Sequence, residues 1–90
     1  MVYCTRRFAI PTVRRVDGFR FFFFSNEGNE PPHVHVEAAE KYAKFWLRPV
    51  ALARSYGFGA HELSGIRRIV ESRSDYFEHR WGEYFGEGTH

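Results

Sequence analysis

The chain has 90 residues, enough for one domain. It has ten Phe, five Tyr, two Trp and a formal net charge of +2. A chain of this size buries only about 60–65% of its unfolded surface, so large side chains must carry much of the core. A single cysteine, Cys4, excludes an internal disulfide framework. No apolar run approaches the ~20 residues of a membrane span, and no apolar stretch follows Arg6 and Arg7 as in a signal peptide. A soluble cytoplasmic protein is the default expectation.

Residues 1–10 have little pattern and read as an arm. The single domain is expected over 11–86, with a short tail at 87–90. In "VRRVDGFRFFFFS", Asp17-Gly18 is a strong two-residue hairpin signal, because such turns need positive φ. This turn places Val16 opposite Phe19, Arg15 opposite Arg20 and Val13 opposite Phe22. Arg15 facing Arg20 calls for a negative group nearby. "FRFFFF" carries aromatics on both faces, as in a strand covered on both sides.

"NEGNEPP" reads as a loop. Its two prolines deliver the chain already extended into "HVHVE". "HVHVE" and "KYAKFWL" form a second predicted hairpin. Val34 and Val36 must share a face with Ala43, Phe45 and Leu47, which fixes a turn at Ala39-Glu40. That register puts Val36 opposite Ala43 and Val34 opposite Phe45. The other face then carries His33, His35 and Glu37 beside Tyr42, Lys44 and Trp46, with Lys44 opposite His35 and Trp46 opposite His33. Pro49 ends the strand or lies at an edge, and "VALA" reads as a short extended piece.

From Ala60 to Phe85 the period becomes helical. Leu63, Ile66, Val70, Phe77, Trp81 and Tyr84 or Phe85 follow one stripe, Ser74 fills its gap, and Gly86 suits the position after the end. One helix of this length would run about 38 Å. Four strands span only about 19 Å. The helix must overhang the sheet, cross it diagonally, or bend near Ser72 to Asp75. The expected fold class is α+β: a mostly antiparallel sheet of about four strands in two hairpins, packed by one long C-terminal α-helix.

The segments "PTVRRVDGFRFFFFSNEGNEPPHVHVE", "AKFWLRPVALARSYGF" and "HELSGIRRIVESRSDYFEHRWGEYF" together resemble the bacterial family catalogued as domain of unknown function 4160, over Pro11 to Phe85. "PPHVHV" falls on Pro31 to Val36 and "AKFWL" on Ala43 to Leu47. Members resemble one half of small two-gene units, often beside a protein of the domain of unknown function 2442 family, and such units are proposed toxin–antitoxin pairs. The resemblance implies no catalytic residue.

Three uses compete for the His33/His35 face. Alternate strand positions lie about 7 Å apart, within reach of one metal ion, with Glu37 as a third ligand. No cysteine joins them, and His61 and His79 fall on the helix, so no metal or cofactor is expected. A metal-free ribonuclease would use His33 or His35 as general acid or base, Lys44 or an arginine on phosphate, and Trp46 or Tyr42 against a base. A binding face would use the same aromatic and charged mixture for area. The binding residues expected are His33, His35, Glu37, Tyr42, Lys44, Trp46 and the basic Arg14, Arg15 and Arg20; the catalytic candidates are His33, His35 and Lys44. The expected function is a binding component of a toxin–antitoxin-like pair, with a protein partner or a second copy held by the uncovered aromatic face or the helix end. The alternative is a ribonuclease acting on RNA.

Overall fold

The computed structural model describes residues 13–24 and 28–86. The expected arm at 1–10 and tail at 87–90 lie outside them. Five strands, β1 (Arg14–Val16), β2 (Phe19–Phe22), β3 (His33–Ala38), β4 (Lys41–Leu47) and β5 (Val50–Tyr56), precede helices α1 (Ala60–Ser72) and α2 (Ser74–Phe85). The strands form one antiparallel meander in the order β1-β2-β3-β4-β5.

Local chemistry sets each turn. Asp17 and Gly18 both have positive φ, 51° and 86°. This is the backbone twist that a tight hairpin requires, and Gly18 reaches it without a Cβ penalty. Val16 faces Phe19 and Arg15 faces Arg20 as the turn dictates. The ladder stops at Arg14–Phe21; Val13 lies outside β1, and its N–H donates to Phe21 O at 2.8 Å. The second hairpin turns at Ala39-Glu40 and has the expected register, with Val34 opposite Phe45 and Val36 opposite Ala43.

Two elements differ from the sequence expectation. The sheet has five strands rather than about four, because "VALARSY" returns along β4 as a full edge strand. Most of β5 is solvent-exposed, so its residues do not need the apolar alternation that marks a half-buried strand. Its register slips at Lys44/Phe45, where Ala53 is the extra residue of a bulge. The bulge and Arg54 blunt one sheet edge; three-residue β1, with Arg14 and Arg15 exposed, blunts the other.

The C-terminal helix is two helices rather than one. At Arg73 the backbone leaves the helical range (φ −121°, ψ 20°), and its N–H is shared between Ile69 O and Val70 O. Ser72 Oγ also donates to Ile69 O at 3.0 Å, competing with the helical ladder at the break. Of the three ways to fit a long helix on a small sheet, the chain uses the bend. Helix α1 lies against β4 and β5, and α2 against β3 and β4. Helix α2 ends where expected, with Gly86 left-handed and its N–H donating to Gly82 O at 2.8 Å. Phe77 and Trp81, which an overhang would have exposed, are buried.

The main core lies between the helices and one sheet face. Phe21, Phe23, Val34, Val36, Ala43, Phe45 and Leu47 meet Ile66, Val70, Phe77 and Trp81 there. Aromatic pairs bind the layers, with Phe21–Phe77 centroids 5.3 Å apart and Phe23–Trp81 5.4 Å. Each such pair adds about 0.5–1.5 kcal/mol beyond its area. Among the described residues no helix is long and apolar enough to cross a membrane.

Candidate functional site

Strand alternation sends His35, Lys44, Tyr42 and Trp46 to the sheet face opposite α1, together with Phe22 from β2. The expected pairings hold: His33 opposite Trp46, His35 opposite Lys44, and Glu37 opposite Tyr42. This face is far less exposed than the uncovered aromatic face expected from the sequence. His33 is 0% exposed, His35 2% and Lys44 7%.

The His35 ring stacks on Phe22 (5.4 Å) and Tyr42 (5.8 Å), and Phe24 meets it edge-on at 4.6 Å. Its Nδ1 shares a 2.8 Å hydrogen bond with the Tyr42 hydroxyl. Pro31 O accepts a hydrogen bond from His33 Nδ1 at 2.9 Å, which places a proton on that nitrogen. The two imidazoles touch at right angles, 4.9 Å between centroids.

Both histidines were expected on the face away from the helix; His33 keeps its contacts with His35 and Trp46 there but, at the start of β3, also meets the helix layer. Its ring lies 4.8 Å from Trp81 of α2 and 5.6 Å from Trp46. The bend at Arg73 carries the end of α2 round to the start of β3, so Trp81 closes over it. The loop contributes too: a Cβ at Gly28 would lie 2.5 Å from the Phe85 ring, an approach only glycine permits.

Lys44 is satisfied by the loop and by its neighbour on β4. Its Nζ donates to Glu30 Oε1 at 3.0 Å and lies 4.6 Å from the Trp46 ring centroid. Glu30 Oε1 also lies 3.8 Å from His33 Nδ1. Glu37, a possible third metal ligand by sequence, instead accepts from Arg20 Nη1 at 2.7 Å; the Arg20 guanidinium also covers Phe22 at 4.4 Å. This carboxylate answers the juxtaposition of Arg15 and Arg20. Among the described residues no group of three or more His, Cys, Asp or Glu side chains is arranged to hold a metal ion.

The three basic candidates divide. Arg20 belongs to the histidine face through Glu37, and Arg15 pairs with Arg20 at its exposed border. Arg14 goes to the helix side, where its guanidinium lies 5.5 Å from the Tyr76 ring centroid. Glu30, Phe22, Phe24 and Trp81 were not expected at the site. The "FRFFFF" alternation could have nominated Phe22 and Phe24; nothing in the sequence spacing places Glu30 or Trp81 there.

A second charged cluster lies along α2. Tyr76 Oη donates to Val13 O at 3.3 Å, and Arg80 Nη1 donates to Tyr76 Oη at 3.2 Å. The Arg80 guanidinium lies 6.0 Å from both the Tyr76 and Tyr84 ring centroids. Burial works against the Arg80 charge, but the Tyr76 hydrogen bond and the nearby Tyr76, Glu83 and Tyr84 outweigh it, so its pKa is raised. At the start of α1, Glu62 accepts from Lys41 Nζ (2.7 Å) and from the Gly59 N–H (3.1 Å). These two hydrogen bonds hold its pKa below the ordinary carboxylate value.

Residues 18–82 match the family described as "Domain of unknown function (DUF4160)". The chain belongs to this family. The DUF4160 match spans β2 to α2 and so includes both faces of the sheet. A 39-residue stretch is also 49% identical to part of the Danio rerio protein "Spliceosome associated factor 3, U4/U6 recycling protein"; it covers 43% of this chain and 4% of that protein. No solved structure matches the chain.

Proposed function

We propose that the chain acts by binding a protein partner, as one component of a two-protein unit of the toxin–antitoxin type. The observation that carries this reading is the burial of His33, His35 and Lys44. A general acid or base must reach its substrate, directly or through one water. Here the imidazoles are enclosed by Phe22, Phe24, Tyr42, Trp46 and Trp81, and the amine is held by Glu30. These contacts fit a polar layer that fixes the fold and leave the outer surface to do the work.

The test is expression of wild type and of His33→Ala, His35→Ala and Lys44→Ala, following growth and total RNA integrity. Co-purification with the product of the adjacent reading frame is followed in parallel. The binding reading expects intact RNA throughout and recovery of a stoichiometric complex. RNA cleavage by wild type that disappears in a folded His35→Ala variant would replace it with the ribonuclease reading.

A further inference from the structure

Tyr76, Arg80 and Tyr84 recur at i, i+4 and i+8, so they form one stripe along α2, beside the buried stripe of Phe77 and Trp81, with Arg73 at the N-cap of the helix. Arg14 joins it from β1 by lying over Tyr76. Arg73 Nε and Arg80 Nε are both buried, and neither has a hydrogen-bond acceptor among the described residues. Glu83 Oε1 approaches Arg80 Nε to 3.1 Å without the alignment of a hydrogen bond. Among the described residues no carboxylate lies within ion-pair distance of Arg14 or Arg73. Both Nε atoms are closed to solvent, so what the stripe offers a partner is guanidinium charge: Arg14, exposed on β1, and Arg73 have no carboxylate in range among the described residues, and Arg80 has only Glu83.

The geometry points to this stripe as a docking surface for an acidic segment of a partner protein, whose Asp and Glu carboxylates pair with Arg14, Arg73 and Arg80. The assignment deepens the protein-binding reading above and rests on it. Charge complementarity selects the occupant, because a guanidinium fork matches a carboxylate through two parallel hydrogen bonds. Nucleic acid would be the other polyanion, but base stacking needs open aromatic faces. Arg14 and Arg80 both lie against Tyr76, and Arg80 also approaches Tyr84, which is 41% exposed. Arginine and tyrosine are also the residues enriched where protein interfaces concentrate their energy.

The experiment is fluorescence anisotropy of labelled octaglutamate, octaglutamine and an oligouridylate of equal length on the purified full chain, from low to physiological salt. Octaglutamate is expected to bind, octaglutamine not, and oligouridylate more weakly than octaglutamate. Arg14→Gln and Arg73→Gln should each weaken octaglutamate binding by about threefold or more, and the double variant by about tenfold or more, with binding falling as salt rises. Arg73→Lys, which keeps charge but loses the fork, should recover only part of the affinity. Arg54→Gln, on exposed β5, should change nothing. Circular dichroism melts confirm that each variant is folded. Absence of octaglutamate binding, equal loss in Arg54→Gln, or tighter oligouridylate binding overturns the assignment. Such a failure leaves the protein-partner reading to its co-purification test. RNA cleavage in that earlier test would remove the protein-partner reading and leave a measured octaglutamate affinity in place.

Discussion

The two faces of the sheet bury their residues by different means. On one face two helices supply apolar side chains, and Phe21, Phe23, Val34, Val36 and Phe45 disappear beneath Ile66, Val70 and Phe77. On the other, Phe22 and His35 are as completely buried, yet the groups around them are aromatic rings, a hydroxyl, a lysine and the loop residue Glu30. The first face is held by area and shape, the second by satisfied polar groups on an aromatic layer. A polar layer tolerates few changes, because a buried donor or acceptor left alone costs about 1–3 kcal/mol. Histidine, usually read as a sign of chemistry, can therefore serve as a flat, hydrogen-bonding filler between two aromatic rings.

The largest expected effect lies on the helix-covered face. Phe77→Ala should cost about 3–5 kcal/mol, enough to unfold most of so small a domain, and thermal denaturation followed by circular dichroism reads it directly. Next comes the opposite face. His35→Ala should cost about 2–4 kcal/mol by opening a cavity between Phe22 and Tyr42, and Tyr42→Phe should isolate the hydrogen bond at about 1 kcal/mol in urea titrations. If His35→Ala melted like wild type, the second face would not be a structural layer, and the comparison would collapse. Gly28→Ala sharpens it at the point where the two faces meet: the added methyl should clash with Phe85 and destabilise by about 1–3 kcal/mol, while Phe85→Leu in the same chain should restore part of the loss.

The smallest effect is electrostatic and lies outside both layers. The folded-state pKa of Glu62 is lowered, first by the Lys41 hydrogen bond and then by the Gly59 N–H. Its contribution to stability is therefore fully present above the unfolded carboxylate value of 4.5 and is lost as pH falls through the lower folded value. Denaturation midpoints of wild type and Glu62→Gln should differ at neutral pH and converge in acid. A difference that persists at low pH would assign the effect to packing instead.

The register of both hairpins was legible because a turn and an alternation fix it together. Asp17-Gly18 sets the first, and Val34 and Val36 against Ala43 and Phe45 set the second. The face carried by each strand residue was legible for the same reason. Burial of the second face was not, since it depends on Glu30 reaching back to Lys44 and on Trp81 arriving from 48 positions beyond His33. Trp81 reaches His33 because the helix breaks at Arg73. Apolar periodicity runs through that position with only Ser74 out of place, so spacing left the bend as one of three choices. β5 was undercounted because an exposed edge strand has no apolar alternation to read. Arg14, Arg15 and Arg20 looked like one basic patch by proximity in sequence; alternation of the β1 side chains puts Arg14 on the side opposite Arg15.

The central claim is that His33 and His35 are interior groups. Limited modification with diethylpyrocarbonate, located by peptide mass spectrometry, tests it within a single molecule, because His61 and His79 are exposed on the helices and serve as internal standards. The account predicts rapid modification of His61 and His79 under native conditions, with His33 and His35 reacting only when the chain is unfolded. Reaction of His33 and His35 at the rate of His79 in the folded protein would contradict it.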